Sequence, residues 1–146
     1  MKDYDINVSN KKTFLVMTAC MEVGGIETYL ARMIDWLKLH EYRIIFIALK
    51  GITYAECFKE ILFDGKVEIV NVNIHDPRWI NRLNISFEVG EEILAYSFSL
   101  YTFAMLEKVR IKYKKNIFNN FFWVPNYHGH RIFREIKYPM TMVIRY

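Results

Sequence analysis

Apolar residues alternate along the chain between short unbroken runs and longer stretches with an apolar position every third or fourth residue. Residues 13–19 (Thr13-Phe14-Leu15-Val16-Met17-Thr18-Ala19) form the first run, the pattern of a strand buried on both faces of a parallel sheet. Gly24 and Gly25 follow. From Ile26 the apolar residues recur as Ile26, Tyr29/Leu30, Met33/Ile34 and Leu37, one face of a helix, with Glu27 in its first turn. Tyr42–Leu49 predicts a second strand. Gly51 breaks it, and Thr53-Tyr54-Ala55-Glu56 has the spacing of a capping box, with Thr53 as N-cap and Glu56 at the third helical position. That helix turns Ala55, Phe58, Ile61 and Leu62 inward and ends near Asp64-Gly65, where glycine suits a left-handed terminus.

Val67–Val72 predicts a third strand. Asp76-Pro77 predicts another helix start, a capping Asp followed by Pro, leading into Trp79, Ile80 and Leu83. Ile93–Ser97 predicts a fourth strand running into a helix over 98–109. Phe121–Pro125 predicts a fifth, preceded by the basic stretch Lys108–Lys115. His130–Lys137 reads as helical, and Met140–Arg145 as the start of one more strand. Strands alternating with helices across short connections predict an α/β fold, a Rossmann-like doubly wound, mostly parallel sheet. Residues 1–12 are then a polar tail and 13–146 one domain. Ending on an apolar run suggests a chain that belongs to something longer.

Composition supports an ordered core: 53% of the 146 residues are hydrophobic and 16% aromatic, with a mean hydropathy of +0.03. No run without Asp, Glu, Lys or Arg, Ile93–Leu106 included, reaches the roughly 20 residues that span a bilayer. Acids at Asp3 and Asp5 do not suit a secretory signal. Cys20 and Cys57 form neither a metal spacing nor a disulfide framework, which suits a reduced, cytosolic location. The net charge of +4 conceals an asymmetry, since residues 1–107 carry net −4 and 108–146 net +8. The basic end suggests an anionic partner: phosphate, phospholipid or nucleic acid.

Val23-Gly24-Gly25-Ile26-Glu27 is the strongest local signal. A glycine-rich turn between the first strand and helix lets backbone N–H groups approach a phosphate, and it serves equally as the tight turn that starts a helix. It has neither the G-x-G-x-x-G spacing of a dinucleotide site nor the Lys-Ser/Thr of a P-loop. His128-Gly129-His130 has no third metal ligand nearby. His40-Glu41 and His75-Asp76 read as solvated element ends, and Cys20 as a buried thiol.

Phe14–Thr18 followed by Gly24-Gly25-Ile26-Glu27-Thr28-Tyr29-Leu30-Ala31-Arg32-Met33 resembles the opening of family-4 type glycosyltransferases of the GT-B fold, with their strand, "GG-x-E" loop and amphipathic helix. Ile93–Ser97 is similar to that family's fourth strand, with Tyr96 where a histidine is frequent. Phe121–Gly129 is similar to the next strand, ending in the family's His-Gly or His-Asp pair at His128-Gly129.

The resemblance implies sugar transfer from a nucleotide-sugar donor to a glycan or lipid-linked acceptor, as in polysaccharide or glycoconjugate synthesis. It implies that Gly24 and Gly25 lie against the donor diphosphate and that His128 is the catalytic contact to sugar or acceptor. No metal or other cofactor is expected. The family's second domain, with its E-x7-E motif, is not in this chain, so the chain alone is expected to be inactive. The alternative is a non-catalytic α/β binding or partner module. Lys108, Arg110, Lys112, Lys114 and Lys115 read either as a solvated helix end or as an anionic-surface site, a membrane inner face with a lipid-linked acceptor. Nucleic acid is not expected, because Phe118, Phe121, Phe122 and Trp123 read as a buried strand.

Overall fold

The computed structural model describes residues 11–18, 21, 24–88, 90–97, 100–117 and 121–125. Cys20, His128 and the expected elements after Pro125 lie outside them. The element order is β1 (Lys12–Thr18), α1 (Gly25–Leu39), β2 (Arg43–Leu49), α2 (Glu56–Leu62), β3 (Val67–Val72), α3 (Trp79–Arg82), β4 (Glu92–Ser97), α4 (Leu100–Ile117) and β5 (Phe121–Pro125). The five strands form one parallel sheet in the order β3-β2-β1-β4-β5, the Rossmann order, with β1 central.

Strand periodicity divides the core in two. Phe14, Val16, Ile44, Phe46 and Ala48 point to one face, where Leu30, Ile34 and Leu37 of α1 and Phe58 and Leu62 of α2 cover them. Leu15, Met17, Ile45 and Ile47 point to the other, under Trp79, Leu83, Phe103, Leu106, Val109 and Tyr113 from α3, α4 and the segment between α3 and β4. Two covered faces explain why β1 and β2 read as unbroken apolar runs rather than as alternating ones. On α1 the expected inward face holds at Leu30, Ile34 and Leu37, whereas Tyr29 turns outward and Trp36 stacks on His40 at 3.8 Å.

Three local expectations are corrected. The capping box does not form. Met21 N–H donates to the Thr53 carbonyl (3.2 Å) and Ala55 N–H to the Met21 carbonyl (2.8 Å), which holds residues 53–55 extended. Helix α2 therefore starts at Glu56 with Ala55 as N-cap, and Glu56 pairs with Lys59 instead. Its expected end holds, with Gly65 in the left-handed region at φ 84°. Asp76 is not the N-cap of α3, which is Arg78. The Asp76 carboxylate instead accepts from Arg78 N–H (2.9 Å), an Asx turn that leads into only four helical residues. Helix α4 runs on to Ile117, so the basic stretch is helix, not a separate segment before β5.

Tyr113 ties α4 to the incoming β4 segment. Its buried hydroxyl donates to the Leu83 carbonyl (3.0 Å) and accepts from Ile85 N–H (2.8 Å), with Phe87 edge-on at 5.0 Å. Burial pushes the phenol pKa up, and the Ile85 bond opposes this. Tyr113→Phe strands a backbone donor and an acceptor together, so its expected cost is about 2 kcal/mol. A urea unfolding midpoint unchanged from the parent chain contradicts that account.

At the amino edge of the sheet, Arg43 joins three segments. Its guanidinium donates to Glu68 (2.9 Å), to the Ser86 carbonyl (2.6 Å) and to the fully buried Glu91 (3.3 Å), and it lies over the Phe87 ring. Glu91 also accepts from the Thr13 hydroxyl and from Glu88 N–H (2.8 Å). Nearby, Lys38 Nζ donates to the Asp64 carboxylate (2.7 Å) and the Ile61 carbonyl, linking α1 to the end of α2.

The Lys38 hydrogen bond holds the Asp64 carboxyl below its ordinary value, against a smaller effect of burial. A folded pKa below the unfolded one contributes stability that is complete above the ordinary carboxylate range and is lost as pH falls through the folded value. Asp64→Asn should therefore flatten the fall of Tm below about pH 4. A fall as steep as the parent's excludes Asp64 as a contributor.

Candidate functional site

In a doubly wound sheet, ligands collect outside the carboxyl ends of the strands where the connections reverse direction. Here the reversal lies between β1 and β4, since β2 and β3 extend to one side and β4 and β5 to the other. The register pairs Met17 with Ser97. Thr18 and Ser97 thus close neighbouring strands at this crevice, and Thr102 lies in the first turn of α4; all three hydroxyl residues are buried.

Helix α1 begins at the same edge. Gly24 is its N-cap and makes no side-chain capping bond. The first turn is tied by Thr28, whose N–H (3.0 Å) and hydroxyl (2.6 Å) both donate to the Gly24 carbonyl. The Glu27 carboxylate folds back onto Gly24, over the positive end of the helix. An anion drawn to these amides has to displace or share with that carboxylate.

Among the described residues nothing demands either glycine. Gly24 has an extended backbone, φ −162°, that any residue adopts. A Cβ there meets only the flexible end of Glu27, and a Cβ on Gly25 meets nothing within 4 Å among the described residues. Gly51, Gly65 and Gly90 contrast with them, because their positive φ values do call for glycine.

Tyr96, at the position where a histidine was of interest, turns beneath α1 against Phe14 (6.2 Å). Burial raises its pKa, with a lesser electrostatic effect from Tyr29. The motif reading missed Thr18, Ser97 and Thr102; their only sequence signal is position, at strand carboxyl ends or in the first turn of a helix.

The basic candidates lie elsewhere. Helix α4 runs from the crevice back along the sheet, and β5 restarts at the amino edge with Phe121 beside Ile93. Lys108–Lys115 therefore occupies the half of α4 remote from Gly24 and Gly25. Lys112 Nζ donates to the carbonyls of Ile80 (2.7 Å), Asn81 (3.3 Å) and Leu83, capping α3, and burial lowers its pKa. Arg110 is gripped by Glu107, whose hydrogen bonds raise the guanidinium pKa. Lys108 and Lys114 are exposed, and Lys115 belongs to the same helix.

Also remote from the crevice is an open concavity of about 360 Å³ lined by Lys11, Lys38, Glu41, Tyr42, Arg43 and Lys66. Lys11, Lys38 and Arg43 are paired with Glu88, Asp64 and Glu68/Glu91, so it offers an anion little uncompensated charge. Among the described residues no helix is long and apolar enough to cross a membrane. Comparison with known protein families, with curated proteins and with solved structures finds no match.

Proposed function

We propose that this chain is the acceptor-side Rossmann-like domain of a GT-B glycosyltransferase, acting with a second domain that carries the nucleotide sugar. One observation carries the reading. Two consecutive glycines sit at the start of α1, beside the reversal point of the sheet, where nothing among the described residues requires them. Side chains absent for no internal reason suit close approach by something outside the chain, and the N–H groups there suit a diphosphate.

On this reading the glycosidic bond to the donor breaks as the acceptor oxygen attacks, and negative charge builds on the departing diphosphate. The amides of Gly24 and Gly25 and the positive end of α1 stabilise that charge once the Glu27 carboxylate has moved aside. His128, carried over from the family resemblance, contacts the transferred sugar or the acceptor.

The test is a titration of the ¹⁵N-labelled chain with UDP and GDP, followed by amide resonances. The expected result is shifts gathered at Gly24–Thr28 and Ser97. Shifts gathered elsewhere, or none at millimolar nucleotide, overturn the reading, as does turnover of a nucleotide sugar by this chain alone.

A further inference from the structure

We propose that the outer stripe of α4 docks onto an anionic lipid bilayer. The inner face of α4 is settled: Phe103, Leu106, Val109 and Tyr113 are buried against the sheet. Opposite them Tyr101, Ala104, Lys108 and Ile111 follow one another at helical spacing, all exposed, with Tyr101 at 49% and Ile111 at 57%. Position 115 continues the stripe in the helix register, and Lys114 flanks it. Two large apolar side chains thus stand exposed, in line with a lysine, on a helix whose packing against the described residues does not use them.

The charge around the stripe selects the occupant. Residues 108–117 contain five Lys or Arg and no acid. The acid just before them, Glu107, is engaged by Arg110. With Arg110 bonded to Glu107 and Lys112 to carbonyls of the α3 segment, the uncommitted outward cations among the described side chains are Lys108 and Lys114. Tyrosine and isoleucine interleaved with lysine suit the boundary between headgroups and acyl chains: the apolar groups enter and the ammonium groups meet lipid phosphates.

A second copy of the chain is disfavoured, because a two-fold contact on this stripe sets Lys108 and Lys114 against their own equivalents. A nucleic acid is disfavoured because Tyr101 is the stripe's one aromatic, too few for a stacking platform. The proposal stands on α4 alone and is independent of the transferase reading.

The test is co-sedimentation of the full chain with phosphatidylcholine vesicles, with and without phosphatidylglycerol. Two double variants are compared, Tyr101→Ser/Ile111→Ser and Lys108→Glu/Lys114→Glu. Lys59→Glu and Leu39→Ser, exposed on the other face of the sheet, serve as controls. Circular dichroism melts are first matched to the parent, since all six positions lie at the surface. The expected result is binding that requires phosphatidylglycerol, weakens by about tenfold or more in either double variant and is unchanged in the controls. Absence of binding to the anionic vesicles overturns the proposal, as does binding indifferent to both double variants. Loss of a dimer in sedimentation equilibrium on changing Tyr101 and Ile111 also overturns it, and assigns the stripe to a second copy.

Discussion

Replacing Arg43 by methionine should lower the unfolding free energy by about 3 kcal/mol. The cause is what the substitution leaves behind. Glu91 is fully buried, and Arg43 is the cation beside it. Without the guanidinium, the carboxylate keeps the Thr13 hydroxyl and Glu88 N–H but has no counter-charge, in a place where water cannot replace one. The Ser86 carbonyl loses its donor in the same step.

Arg43→Lys should recover only part of the loss, since one ammonium cannot reach Glu68, Glu91 and Ser86 as a planar fork does. Glu91→Gln on the Arg43→Met background removes the orphaned charge, so the double variant should be more stable than Arg43→Met alone. Urea midpoints of the four proteins decide the matter. A cost below about 1 kcal/mol for Arg43→Met means that the network contributes no more than a surface pair.

The second large effect is on ligand binding, with stability held still. Gly25→Val should weaken nucleoside diphosphate binding by about tenfold or more, or about 1.4 kcal/mol, by interposing a side chain between the amides and the phosphates. Because a Cβ at this position has open space, Tm should stay within a few degrees of the parent. Gly25→Ala should raise Tm slightly, the usual consequence of restricting the unfolded chain at a helical position. A Gly25→Val protein that binds UDP and GDP like the parent shows that the glycines only begin a helix. One that unfolds shows that the fold needs glycine there after all.

The contrast between these two sites explains what the sequence discloses and what it withholds. β1 and β2 are legible because burial on each face is written into consecutive residues such as Phe14, Leu15, Val16 and Met17, and the glycine pair announces the first turn directly. Features that depend on distant partners leave no local trace. The start of α2 is set by Met21, not by its own Thr53 and Glu56. Arg43 and Glu91 are 48 residues apart, and neither forecasts the other.

Helix α4 is an intermediate case. Its inward positions Leu106, Val109 and Tyr113 continue the apolar period, but the interleaved cations mask it and make the second half look like a polar connection. That Lys112 caps α3 while Lys108 faces solvent is decided by tertiary packing alone. The hydroxyls of Thr18, Ser97 and Thr102 are equally silent until the strand order brings them to one crevice.

The central place of β1 has a consequence during synthesis. β1 leaves the ribosome before the other four described strands, yet it lies between β2 and a partner that comes much later, with Thr13 bonded to a residue 78 positions further on. At roughly 5–20 residues per second, several seconds pass before β4 and α4 emerge. Until then Leu15, Met17, Ile45 and Ile47 form an uncovered apolar face, and one edge of β1 presents unpaired amides and carbonyls. A nascent chain stalled just after β3 is therefore the form expected to be held by chaperones, whereas one extended beyond α4 is expected to be released.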